Sequence, residues 1–145
     1  MDPFYRELEL IHPVSKYFIS QGFRVVYEVR IGFCRADLVA FKEDVAVAVE
    51  LKLRDWKKAL LQAKNYQLGA DLVYLAVPLM KSSLFLQKSE PTLQKEGIGL
   101  LVVNELSCEV SEIMEARTSQ RTFAPVTFDE ITKQRTERRS KFKIY

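Results

Sequence analysis

The chain has one histidine, His12, and two cysteines, Cys34 and Cys108. A single histidine gives little material for a multi-histidine metal site or for histidine-based acid–base catalysis. The cysteines lie far apart and form no C-x-x-C pair, which speaks against both a disulfide scaffold and a zinc knuckle. No apolar run approaches the about 18 residues of a membrane span. The segment from Met1 to Leu10 is charged rather than apolar, unlike a secretory signal. Neither G-x-x-x-x-G-K-[ST] nor G-x-G-x-x-G occurs, so no nucleotide cofactor is indicated. The expectation is a soluble cytoplasmic protein in a reducing compartment, with no membrane partner.

What is present is ordinary globular material. The 145 residues are 48% apolar and 28% charged, which fits one domain with its own core. Periodic patterning runs through residues 1–117. Residues 118–145 read as a basic, partly flexible tail with at most one short helix. Charge is uneven. From Lys133 onward there are six basic residues against Glu137 alone, +5, which leaves −2 for residues 1–132 out of a net +3.

Asp2-Pro3 is a helix-start signal, and Phe4, Leu8, Ile11 and Phe18 follow at helical spacing. Gly22 is the expected stop and Pro13 an expected kink. Phe23–Ile31, Cys34–Phe41 and Val45–Leu51 are rich in β-branched and aromatic residues and read as strands. Asp55 is placed to cap a helix whose apolar face is Trp56, Ala59, Leu60 and Ala63, ending at Gly69. Asp71–Val77 reads as a buried strand closed by Pro78. Ser82–Glu96 reads as a helix broken at Pro91, Ile98–Val103 as a second buried strand, and Glu105–Met114 as one more. The order α-β-β-β-α-β, then α-β-β, predicts an α/β fold with a mixed central sheet flanked by helices.

One strand carries unusual chemistry. Residues two apart share a strand face, so Ala46, Ala48, Glu50 and Lys52 lie together, while Val45, Val47, Val49 and Leu51 take the other face and read as core. The alanines leave room beside a carboxylate and an amine. If Glu43-Asp44 is a two-residue loop, Lys42 pairs with Val45, Asp37 stands opposite Glu50, and Arg35 opposite Lys52. Facing residues have Cβ atoms about 5 Å apart. Two carboxylates that close repel unless a cation intervenes, and such oxygen ligands suit Mg²⁺ or Mn²⁺. Lys52 would then lie beside metal-bound water. The plain alternative is a structural ion pair in which Lys52 or Arg35 balances the acids.

The segment Arg35-Ala36-Asp37 … Glu50-Leu51-Lys52 resembles the PD-(D/E)xK nuclease superfamily, although Ala36 stands where that family often has proline. Gln62-Ala63-Lys64-Asn65-Tyr66 is similar to the Q-x-x-x-Y signature of its RecB-like branch, and resolvase-like members come into view too. The resemblance spans Asp2 to about Pro78. It implies a restriction-endonuclease-like α-β-β-β-α-β core and metal-dependent hydrolysis of phosphodiester bonds in DNA, or less often RNA, with an endonuclease favoured over an exonuclease. Asp37 and Glu50 would bind Mg²⁺ or Mn²⁺, and Lys52 would orient or deprotonate water. Gln62 would assist catalysis, and Arg35 and Tyr66 would contact nucleic acid. Many members add a glutamate from the first helix. Helical phase favours Glu7 over Glu9, with Glu28 a further candidate. Short members are often homodimers. The basic tail, with Lys133, Arg135, Arg138 and Arg139, is expected to hold phosphates without reading sequence.

Overall fold

The computed structural model describes residues 7–120 and 125–133. A 3₁₀ turn, Glu7–Leu10, leads into α1 (Ile11–Ser20). Then come β1 (Arg24–Ile31), β2 (Cys34–Lys42), β3 (Val45–Leu51), α2 (Trp56–Tyr66), β4 (Leu72–Pro78), α3 (Leu79–Glu96), β5 (Gly99–Val103) and β6 (Val110–Met114). The six strands form one sheet in sequence order. β1–β2, β2–β3 and β5–β6 are antiparallel, while β3–β4 and β4–β5 are parallel. The expected mixed sheet with flanking helices is therefore the observed one.

The parallel pairs explain where the helices lie. Crossovers of one hand that step in the same direction across a sheet stay on one face. Accordingly α2 and α3 share a core with Ala46, Ala48, Val73, Leu75 and Val77. The opposite face packs Leu10, Val14 and Phe18 against Leu38, Val47, Val49 and Leu51. The alanine face is thus not open: Ala46 and Ala48 are buried beneath α2, which presents its own buried Ala59 and Ala63. Small side chains on both sides let the helix approach the sheet closely.

Local signals act largely as their chemistry predicts. Lys42 pairs with Val45 across a two-residue loop, with Glu43 at φ 55°. The Asp55 carboxylate accepts from the Lys58 backbone N–H at 3.3 Å at the start of α2. Gly97, at φ 73°, closes α3 in the left-handed conformation that glycine tolerates. Pro13 sits in the first turn of α1, where backbone N–H groups have no intrahelical acceptor, so the helix begins there without a break.

Besides the kink expected at Pro13, three further features differ from expectation. Leu8 is 65% exposed, and the buried stripe is Leu10, Val14 and Phe18, because the 3₁₀ turn shifts the helical phase. Pro91 does not break α3, which runs from Leu79 to Glu96; Pro91 and Gln87 are both exposed, so the carbonyl left without a donor faces water. The last strand starts only at Val110, after a turn that begins at Asn104.

Beyond Thr118 the chain is also less tail-like than its composition suggests. Val126 donates its N–H to the Gly69 carbonyl at 2.9 Å. Phe128 packs edge-on against Phe41, with the Arg24 guanidinium 3.8 Å from its ring centre. Residues 128–133 are helical, and Lys133, at their end, is exposed. Asp2, Pro3, Phe4, Arg135, Arg138 and Arg139 lie outside the described residues. Among the described residues no helix is long and apolar enough to cross a membrane.

Candidate active site

The site grows from an irregularity in two strands. β1 and β2 pair Tyr27 with Leu38 and Val29 with Ala36, but Glu28 and Asp37 between them do not pair. Glu28 takes φ 53°, a left-handed value unusual for a residue with a side chain. The alternation of faces slips there: Val29 and Ile31 join the same core as Val26, and Ala36 the same core as Val39 and Phe41. On the other side, the β2–β3 ladder ends at Leu38 and Val49. Asp37 is thereby released from both neighbours, and its Oδ2 accepts the Leu51 N–H at 2.8 Å.

The ladder's end removes two expected pairings: Asp37 does not pair with Glu50, and Arg35 does not pair with Lys52. Arg35 pairs with Arg30 of β1 instead. Lys52 lies just past β3, and its N–H goes to the Ala76 carbonyl of β4 at 3.0 Å. β3 leaves β2 here and follows its parallel neighbour, and the Asp37 carboxylate takes up a donor that the ladder no longer uses. Glu50 continues the face of Ala46 and Ala48, as strand alternation demands, and is only 3% exposed.

α2 meets Glu50 from above. The Tyr66 hydroxyl lies 2.7 Å from Glu50 Oε1 and 2.6 Å from the Arg35 carbonyl oxygen. The phenol O–H is shared between the two acceptors, which ties the Glu50 carboxyl to the β2 backbone. Tyr66 is fully buried, so its place is behind the carboxylate and not on a nucleic-acid surface. Its neighbour Asn65 donates to the Ile31 carbonyl at 2.7 Å and accepts the Phe33 N–H at 3.1 Å. Asn65 and Tyr66 together clasp the β1–β2 turn to α2. A side chain on Gly32, at φ 61°, would collide with Asn65, which explains the glycine.

Lys52 joins the acids. Its ammonium is 3.6 Å from Glu50 Oε2 and 3.7 Å from Glu7 Oε2. Glu7 reaches the site because residues three apart eclipse in a 3₁₀ turn, and Leu10, three residues on, is fully buried. Glu9 and Glu28 are exposed. Glu7, half-exposed, is held on Lys52.

Burial raises the Asp37 carboxyl above its ordinary range, against the Leu51 N–H, which lowers it; the Glu7 charge raises it further. Burial, then the Asp37 charge, pushes Glu50 up to about 7, although Tyr66 and Lys52 pull the other way. Burial and the hydrogen bond to Glu50 push the Tyr66 phenol far upward, so it stays a neutral donor. Burial and the neighbouring acids thus both penalise ionisation of the pair. Two hard oxygen donors with water-accepting positions left over match an ion such as Mg²⁺, which is commonly held by one or two carboxylates and keeps several waters. Asp37 and Glu50 fit that role. Among the described residues no three His, Cys, Asp or Glu side chains form a complete metal-holding group.

Gln62 stands one helical turn before Tyr66. Its Oε1 is buried and has no hydrogen-bond partner among the described groups. A buried amide oxygen without a donor is a cost that folding alone does not explain. The structure thus brings together Glu7, Asp37, Glu50, Lys52 and Tyr66, and places Gln62 on the same helix. Arg35 contributes only its carbonyl to these contacts and leaves its residue exposed. Asn65 was missed in the sequence: it sits inside the Gln62–Tyr66 motif, but nothing in its type announces a clamp.

No protein-family model matches the chain, and no curated protein matches it. Solved structures do. The chain is similar to an XisH family protein from Nostoc punctiforme, with TM-score 0.55 and 22% identity, covering 73% of this chain and 99% of that one. It is also similar to an fdxN element excision controlling factor protein from Anabaena variabilis, with TM-score 0.53 and 22% identity over 72% of this chain and 98% of that one. These likenesses agree with the architecture above: the chain has an α/β, restriction-endonuclease-like fold.

Proposed function

We propose that the protein is a metal-dependent nuclease that hydrolyses phosphodiester bonds in DNA, as an endonuclease, with Mg²⁺ or Mn²⁺ as its cofactor. One observation carries this reading: the Asp37 and Glu50 carboxyls, both raised by burial, meet where β2 leaves β3, with the Lys52 ammonium 3.6 Å from Glu50. A bound divalent ion would supply the charge that acidifies water and stabilises a phosphoryl oxygen.

The chain's own residues set the rest. The Leu51 N–H fixes the Asp37 carboxylate, and Tyr66 fixes that of Glu50. Both are aimed before any ligand arrives, which limits reorganisation during reaction. Lys52 holds a positive charge and exchangeable protons beside them, suited to orienting water or neutralising charge on a phosphate oxygen. The Gln62 amide oxygen, buried without a partner one helical turn before Tyr66, is the further group on α2 that would serve a ligand. Acids repel phosphates at a distance, and the basic residues from Lys133 onward would offset this by phosphate contacts that ignore sequence.

A second reading is a non-catalytic nucleic-acid-binding or assembly module. It is favoured by the lack of a complete three-ligand metal group among the described residues. The two separate in one assay. Single-stranded, duplex, branched and closed circular DNA are incubated with Mg²⁺ or Mn²⁺, with and without chelator. A nuclease cuts at least one of them only with metal, and Asp37→Asn does not; nicking of the closed circle identifies an endonuclease. DNA binding with every substrate left intact supports the module.

A further inference from the structure

Lys81, Leu84, Phe85 and Lys88 follow one another at i, i+3, i+4 and i+7 in α3, so they share one face of the helix. That face does not close against the sheet along its length. Together with Arg54 and Trp56 it encloses a cavity of about 300 Å³, at the lower end of small-ligand sites. Lys52 lines the same cavity, and its ammonium is the one beside Glu50. The cavity therefore adjoins the candidate active site through Lys52.

Its chemistry is two-sided. Trp56 is half-buried and Phe85 almost fully buried, while Leu84 is 59% exposed at the wall. Around them stand four cations, Lys52, Arg54, Lys81 and Lys88, against one acid, Asp55. The Asp55 carboxylate caps α2 through the Lys58 N–H. Arg54 and Lys88 are exposed, and Lys81 reaches the Leu53 carbonyl at 3.2 Å. An aromatic and aliphatic wall with a cationic rim is the combination that takes a nucleotide: the base against the rings, the phosphate on Arg and Lys. A base locked in a duplex stack cannot enter a concave site, whereas an unpaired one can.

We propose that this cavity binds an unpaired nucleotide of the DNA strand adjoining the bond to be cut, so that the preferred substrate contains a single-stranded segment. The placement next to the cut rests on the nuclease reading; the binding itself does not require cleavage. The alternative is an amphipathic helix face whose lysine stems merely cover apolar surface.

Trp56 is the only tryptophan in the chain, so its fluorescence reports on this cavity alone. The full chain in chelator is titrated with a single-stranded oligonucleotide, the matching duplex, and a strand of equal length bearing abasic sites. The single strand changes Trp56 emission and binds at least about tenfold more tightly than the other two, as expected when a base stacks on aromatic rings. Leu84→Glu, at an exposed position, and Arg54→Ala each remove most of that preference while the circular dichroism spectrum stays unchanged. Equal affinity for the abasic strand, an unresponsive Trp56, or undiminished preference in both variants overturns the proposal. The two readings fail separately. A Trp56 response without metal-dependent cleavage removes the nuclease and keeps the nucleotide site. Cleavage unaffected by both variants, with Trp56 silent, does the reverse.

Discussion

β3 and β4 run side by side in parallel, and at one height the first carries Glu50 and the second Leu75. Both are shielded from water, at 3% and 0% exposure. Leu75 requires nothing of its neighbours but apolar contact. Glu50 requires a phenol, an ammonium and, on the present reading, a cation or a proton. Moving an ionised carboxyl out of water costs several kcal/mol unless such partners compensate. The same sheet thus holds one position chosen for stability and, beside it, one retained at the expense of stability. The difference marks the site.

Exchanging the two kinds of residue should have opposite consequences. Asp37→Asn keeps an oxygen for the Leu51 N–H, so folding in metal-free buffer is unchanged or slightly strengthened, while metal-dependent cleavage falls by ~10²–10⁴-fold. Leu75→Ala should lose ~2–5 kcal/mol of stability, with little change in cleavage per folded molecule. Urea unfolding and cleavage rates measured on the same preparations check both halves.

A pH series sharpens the contrast. Glu50 in the folded chain sits at about 7 against a reference of 4.5. The folded state therefore binds more protons than the unfolded chain between those values. The stabilisation is fully present below about 4.5 and is lost as pH rises through about 7, an effect on the order of 3 kcal/mol by linkage. Asp37 is raised too and adds in the same direction. Unfolding midpoints in chelator should fall from pH 5 to pH 8, and Glu50→Gln should flatten most of that slope.

Smaller again is the effect at Gln62. Its oxygen has no partner to lose, so Gln62→Ala should leave the unfolding midpoint within about 1 kcal/mol of wild type. Cleavage should fall by about tenfold if the amide serves a ligand, a change of ~1.4 kcal/mol. Wild-type cleavage would assign Gln62 to the helix flank alone.

How much of this was legible follows the range of the forces involved. The β2–β3 hairpin could be read because a two-residue loop and strict alternation fix its register, and Glu50 follows from that register. Glu7 was chosen on a stripe that the structure replaces with Leu10, Val14 and Phe18; its place beside Lys52 follows from the 3₁₀ turn, which the sequence pattern did not show. The kink at Glu28 and Asp37 could not be read, because neither residue is a glycine or a proline and the slip belongs to the whole sheet. Ala46 and Ala48 suggested open space; only tertiary structure shows α2 filling it. Tyr66 invited a surface role by its chemistry, and its burial follows from where the helix lands. The cavity at Trp56 needs α3 and the β3–α2 loop together, elements separated in the chain by α2 and β4.

Everything proposed for the site depends on Asp37 and Glu50 holding a divalent ion. Isothermal titration of Mn²⁺ into the metal-free protein at pH 7.5 should show one saturable site per chain for the wild type and none for Asp37→Asn. Unfolding in excess Mn²⁺ should then be strengthened, by about 2.7 kcal/mol at a hundredfold excess over Kd, in the wild type alone. Identical heats and identical unfolding for the two proteins would contradict the metal site and leave Lys52, Glu50 and Glu7 as a structural ion pair.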